Sequence, residues 1–146
     1  MPKRKFRTHK KFKIPKKLVI PVKQEGIKEK VIQFDHEFPL SEIERIKYVY
    51  TRNSMDKITN IICVSYDMQI SDEWVTIIYY DSEHGSLHRH ETISFENRDD
   101  LATEDQVKKK GTPEIWLTWA IRDILIRQNY YKTLFIKRSK MRIDKI

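Results

Sequence analysis

The chain has 146 residues, 39% hydrophobic, 34% charged and 11% aromatic, which is the size and composition of one globular domain. Three glycines, five prolines and the single cysteine, Cys63, exclude Gly-rich architectures, a disulfide framework and any zinc site built on cysteine pairs. No apolar run nears the roughly 20 residues of a bilayer-spanning helix, and no signal-peptide core opens the chain, so a cytoplasmic protein without membrane attachment or disulfide-linked partner is expected.

The net charge of +8 is unevenly spread: residues 1–23 carry +10 with no acid at all, residues 132–146 carry +5, and the body between them carries −7. The first segment, residues 1–17, cannot build a core. Its like charges repel, Phe6, Phe12 and Ile14 bury too little to offset ordering, and Pro15 and Pro21 favour extended backbone. It is expected to be a basic arm, followed by a short edge strand at 18–22. Residues 30–38 alternate Ile32, Phe34, His36 and Phe38 with polar neighbours, the period of a strand.

Four stronger strands are expected at 43–52, 57–66, 73–81 and 88–95. The first sets Ile46, Tyr48 and Tyr50 on one side. The second holds the run Ile61-Ile62-Cys63-Val64, which suggests burial on both faces. The third, EWVTIIYYD, is dense in β-branched and aromatic residues. Asn53-Ser54-Met55-Asp56 and Ser82-Glu83-His84-Gly85-Ser86 have turn chemistry and hairpin length. Residues 96–111 are polar and read as a surface excursion. Thr112-Pro113 then supplies an N-cap and a first-turn proline, and Leu117, Ile121, Ile124, Leu125 and Gln128, widened by Trp116, Trp119, Ala120, Tyr131, Leu134 and Phe135, mark one apolar face to about Lys137. The expected class is α+β: an antiparallel β-meander of four to six strands covered by one long C-terminal helix, with a basic N-terminal arm. The domain spans 18–138 and a basic tail spans 139–146.

Three of the five histidines fall within residues 84–90, beside Asp81, Glu83 and Arg89. A hairpin closed by residues 82–86 would place His88 and His90 with Tyr80 and Ile78, and Arg89 beside Tyr79 on the other face. Proton exchange by His88 and His90, with Arg89 or a lysine holding phosphate charge and His84 or Asp81 orienting, fits metal-independent ribonuclease chemistry. His84, His88 and His90 can alternatively serve as a three-histidine metal site, with Asp81 and Glu83 joining for a harder cation. Ordinary strand histidines explain the same residues without chemistry. No cofactor is expected, since no nucleotide-binding or HExxH pattern occurs, and Cys63 reads as a core residue.

The stretch YYDSEHGSLHRH, residues 79–90, resembles the YDxxHGxxHRH hairpin of an uncharacterised prokaryotic, archaeal-type family that is distantly similar to the TumE-type toxins of toxin–antitoxin systems. The following KKKG-x-x-x-x-WLTWAIRD, Lys108 to Asp123, is similar to that family too. The resemblance covers about residues 42–138. It implies a meander, the histidine hairpin and a C-terminal helix, and it brings in a toxin-like ribonuclease or a protein-interaction module of a toxin–antitoxin or viral system, with an antitoxin-like protein partner. The long basic arm departs from the compact toxin pattern and adds a nucleic-acid anchor.

Dense cations displace counterions from phosphates. Lys3, Arg4, Lys5, Arg7, Lys10, Lys11, Lys13, Lys16 and Lys17 are the expected phosphate contacts of the arm, with Phe6 and Phe12 placed to stack on unpaired bases. Lys108, Lys109, Lys110, Lys137, Arg138 and Lys140 extend the set. The leading expectation is an RNA-directed binding protein, a component of a ribosome or other ribonucleoprotein. A solubilising tail, or pairing of the ends with the acidic body, accounts for the same charges without a ligand.

Overall fold

The structure is a computed structural model that describes residues 16–24, 27–101 and 105–140. It is α+β, an antiparallel sheet with one long C-terminal helix packed on one face. The strands are β1 (Lys16–Gln24), β2 (Ile27–Pro39), β3 (Glu44–Arg52), β4 (Ile58–Ile70), β5 (Glu73–Asp81), β6 (Leu87–Glu91) and β7 (Asp105–Lys108), and the helix is α1 (Pro113–Arg138). Strand order follows chain order from β1 to β7, so every neighbouring pair is a simple antiparallel connection.

The helix-facing side of the sheet repeats at every second residue. Phe34 pairs with Tyr50, His36 with Tyr48 and Phe38 with Ile46 across β2 and β3, and Ile46 with Tyr66 and Tyr48 with Val64 across β3 and β4. Val64 faces Tyr80 and Tyr66 faces Ile78 on β5. These rows are buried together with Trp116, Leu117, Ala120, Ile121, Ile124, Tyr131 and Phe135 of α1, which lies over β4 and β5. Thr112 caps the helix, its hydroxyl accepting from the Ile115 amide, and Pro113 opens the first turn as its fixed φ allows. Lys137 and Arg138 stand in the last turn, where the helix dipole favours cations.

Several expectations change. Burial of Ile61-Ile62-Cys63-Val64 is interrupted instead of continuous: Ile61 and Val64 are buried while Ile62 is 40% exposed. β4 runs on to Ile70, closed by Ser71 and Asp72 in a two-residue turn where both have positive φ, the backbone twist that hairpins prefer. The polar stretch 96–111 contains β7, four residues whose hydrogen bonds to β6 form a ladder without any apolar pattern. β6 ends at Glu91, and the chain then folds back at once through a Thr92–Asp100 bridge. At the other edge, β1 extends over Lys16–Gln24, which takes Lys16 and Lys17 into the sheet and out of the arm. The remaining arm cations, Lys3 to Lys13, with Phe6 and Phe12, lie outside the described residues.

Ile124 is wholly buried between helix and sheet. Ile124→Asp should cost at least about 4 kcal/mol, combining a lost apolar contact with an unpaired buried charge. In a thermal melt this would lower the midpoint by roughly 10 °C or more, and a wild-type melt would show that α1 does not cover the sheet.

Candidate functional site

The histidine hairpin is built by β5, the 82–86 turn and β6. Ser82 anchors its entry: its amide donates to the Ile61 carbonyl at 3.1 Å, and its hydroxyl accepts from the Ile61 amide at 2.9 Å. Gly85 then turns the chain with φ +80°, a conformation costly for any residue with a Cβ. Tyr79 faces His90, Tyr80 faces Arg89 and Asp81 faces His88, one residue away from the expected register. Leu87, fully buried, decides it. It must point under the helix, and a one-residue slip would carry it to the other face.

This register divides the expected catalytic set. His88, His90 and Asp81 lie with Tyr79 on the uncovered face, while Arg89 lies with Tyr80 under the helix. There the hydroxyls of Tyr80 and Tyr131 both donate to Asp123 Oδ2, and Arg89 Nη1 donates to the Tyr131 hydroxyl at 3.3 Å. Arg127 Nε stands 3.4 Å from the other oxygen of Asp123. Burial, with the Asp123 carboxylate beside it, pushes the Tyr80 hydroxyl far above its usual value and that of Tyr131 up to about 12, so both remain donors at neutral pH. Asp123 is the polar residue that sequence reasoning passed over. The signal was present: an acid directly beside Ile124 in the apolar stripe, with Tyr131 eight residues on along the same face.

On the open face, His90 sits between two carboxylates. Its Nε2 is 3.1 Å from Asp81 Oδ2 and its Nδ1 is 3.3 Å from Asp100 Oδ2. Nε2 is itself buried and makes no hydrogen bond. The ring stacks on Tyr79 at 4.5 Å, and the Tyr79 hydroxyl donates to Asp100 Oδ2 at 3.1 Å. With a carboxylate at each nitrogen, His90 is a clamp between β5 and the segment that returns at Asp100.

His88 differs. Its Nδ1 is 3.1 Å from the Ser86 carbonyl oxygen, a contact that makes Nδ1 the donor and leaves the lone pair of the neutral ring on Nε2. His84 is exposed and stands edge-on to His88 with ring centres 6.2 Å apart. Among the described residues, no group of three or more His, Cys, Asp or Glu side chains is placed to hold a metal ion, so His84, His88 and His90 do not form a ligand triad. An open groove of about 490 Å3 adjoins the clamp, bordered by Cys63, Trp74, Thr76, Tyr79, Thr92, Arg98 and Asp100.

The basic residues separate as well. Lys109, Lys110, Lys137 and Lys140 are exposed, and Lys108 is half-buried beside α1. Arg138 is taken up by the fold: its guanidinium donates to the Ile93 and Thr92 carbonyls and so fastens the helix end to the turn after β6. No helix among the described residues is long and apolar enough to cross a membrane.

Residues 25–141 match the model of the family described as a domain of unknown function, DUF7718, and the chain belongs to that family. No curated protein matches the chain. No solved structure matches it either.

Cys63 borders the groove, but burial, reinforced by the Asp67 carboxylate, pushes its thiol up to about 11. A disulfide reagent at pH 7.5 should therefore label native protein about a hundredfold more slowly than an ordinary exposed thiol, with normal reaction restored by denaturant. Labelling of the native protein at the unfolded rate would show that the fold does not suppress the Cys63 thiolate.

Proposed function

We propose that this DUF7718 protein binds RNA through the basic segments that flank its acidic body, in a cytoplasmic ribonucleoprotein. The observation that carries this reading is the charge distribution: +10 over residues 1–23 and +5 over 132–146, set against −7 between them. A segment without any acid has no internal counter-charge, so its cations attract phosphate and release counterions when they meet it. Support also comes from where the folded part holds its cations. Lys16, Lys17 and Lys23 lie on β1, one edge of the sheet, and Lys108 closes β7, the opposite edge, ahead of the exposed Lys109 and Lys110.

A second reading, a toxin-like ribonuclease, is favoured by the His88 tautomer. A ring whose Nδ1 donates to Ser86 keeps Nε2 basic, as a general base requires. Of the residues first expected to carry that chemistry, His88, His90 and Asp81 stay on the open face, with His84 exposed in the turn. Arg89 is withdrawn beneath the helix and supplies no phosphate contact there. Asp81 and Asp100 give the surroundings of His90 a sign that repels phosphate, which weights the choice toward binding over cleavage.

One experiment addresses both. Labelled RNA is titrated with the full chain and with a chain lacking residues 1–15, over a range of salt. The shortened chain should melt as the full one does, bind more weakly, and show a log Kd against log salt slope flatter by up to about 5, the limit if its seven missing cations each meet a phosphate of a single strand. Equal affinity and equal slope would remove the arm from the interface. The same RNA, incubated with nuclease-free protein, should stay intact. Cleavage that is lost in His88→Ala, with binding retained, would instead establish the ribonuclease.

A further inference from the structure

We propose that the groove between β7 and the first turns of α1 binds single-stranded RNA, with a base against Trp119 and the adjoining phosphate between Lys108 and Arg122. The assignment deepens the RNA-binding reading and rests on it. The groove holds about 390 Å3 and is lined by Lys108, Glu114, Ile115, Thr118, Trp119 and Arg122, within the size range of small-ligand clefts. Its chemistry is mixed in a way that suits a nucleotide. Ile115, 49% exposed, and the half-buried Trp119 present apolar and π surface, while Lys108 and Arg122 present positive charge and Glu114 one carboxylate.

The walls are fixed in advance of any ligand. The Trp116 indole donates to the Lys110 carbonyl at 3.2 Å, which ties the lysine run to the helix. Gly111 closes this turn at φ +109°, and a Cβ there would stand 3.3 Å from the Ile115 side chain, so the turn and the groove wall are packed together. Trp119 meets the Tyr80 ring edge-to-face at 83°, a contact that orients the indole without covering it by a parallel ring.

Cations beside an aromatic ring favour a nucleic acid over a neutral peptide, and stacking on the ring requires an unpaired base whose face is free, which a duplex does not offer. Charge on the rest of the molecule points the same way. The histidine clamp on the opposite face carries Asp81 and Asp100, whereas the lysine run continues from this groove through Lys109 and Lys110.

The test is fluorescence anisotropy of labelled oligouridylate with the full chain and three variants. Trp119→Ala should raise Kd about tenfold, the loss of one base stacked on an aromatic ring. Lys108→Gln should weaken binding and flatten the salt slope by about 0.7, the share of one phosphate contact. Ile115→Asp, at an exposed position, should weaken binding with an unchanged melt, which keeps the test decisive even if Trp119→Ala unfolds. A blunt RNA duplex should compete poorly. Wild-type affinity in both Lys108→Gln and Ile115→Asp, or a duplex that competes equally, would overturn the groove while leaving RNA binding by the arm intact. No binding by the wild-type chain would overturn both readings.

Discussion

A carboxylate buried between a helix and a sheet must be met by donors, or the interface opens. Asp123 imposes that condition here, and the packing of α1 answers it. Tyr80 from β5, Tyr131 about two turns further along the helix, and Arg127 all converge on it, with Arg89 of β6 reaching the Tyr131 hydroxyl. An apolar stripe can slide by a turn at modest cost. A hydrogen-bonded cluster of this kind has one register, since each displaced partner would leave a polar group buried and unpaired. The position of α1 along the sheet, and with it that of Trp119 and Arg122, depends on this cluster.

The same cluster accounts for the two characters of the β5–β6 hairpin. Alternation sends neighbouring residues to opposite faces, so drawing Tyr80, Leu87 and Arg89 under the helix sends Tyr79, Asp81, His88 and His90 outward. One side of the hairpin is consumed by structure. The other carries an imidazole held between carboxylates and a second one oriented by a backbone carbonyl. Around the edge of the sheet, Lys108 of β7 and Arg122 of α1 border a different groove from the one beside those carboxylates.

Much of this was legible in the chain. The alternation of Ile46, Tyr48 and Tyr50, the Thr112-Pro113 helix start and the spacing of Leu117, Ile121 and Ile124 each reflect a strong one-face burial that period alone reveals. What escaped has physical reasons too. β7 is held by backbone bonds to β6 and has a single apolar residue, Val107, against the core, so Asp-Gln-Val-Lys gave no strand signal. Ladder irregularities between Val49 and Tyr50 and between Tyr66 and Asp67 shift the parity, so face assignments drift when counted along an ideal strand. The hairpin register turned on Leu87, a lone apolar residue in a polar turn whose burial depends on a helix thirty residues further on. Arg138 read as a phosphate contact because the carbonyl oxygens that take up its guanidinium are displayed by no sequence.

The strictly sequential strand order has a consequence for how the chain is made. Each strand finds its neighbour as soon as the next segment emerges, so the meander can assemble in step with synthesis and with little loop entropy to overcome. Its cover comes last. Pro113–Arg138 follows all seven strands, and at ordinary elongation rates its 26 residues take roughly one to five seconds to appear. For that interval the row of Ile46, Val64, Tyr66, Ile78 and Tyr80 faces water on a nearly complete sheet. The nascent chain then presents a broad sticky surface, open to capture by a chaperone or another chain until the helix arrives.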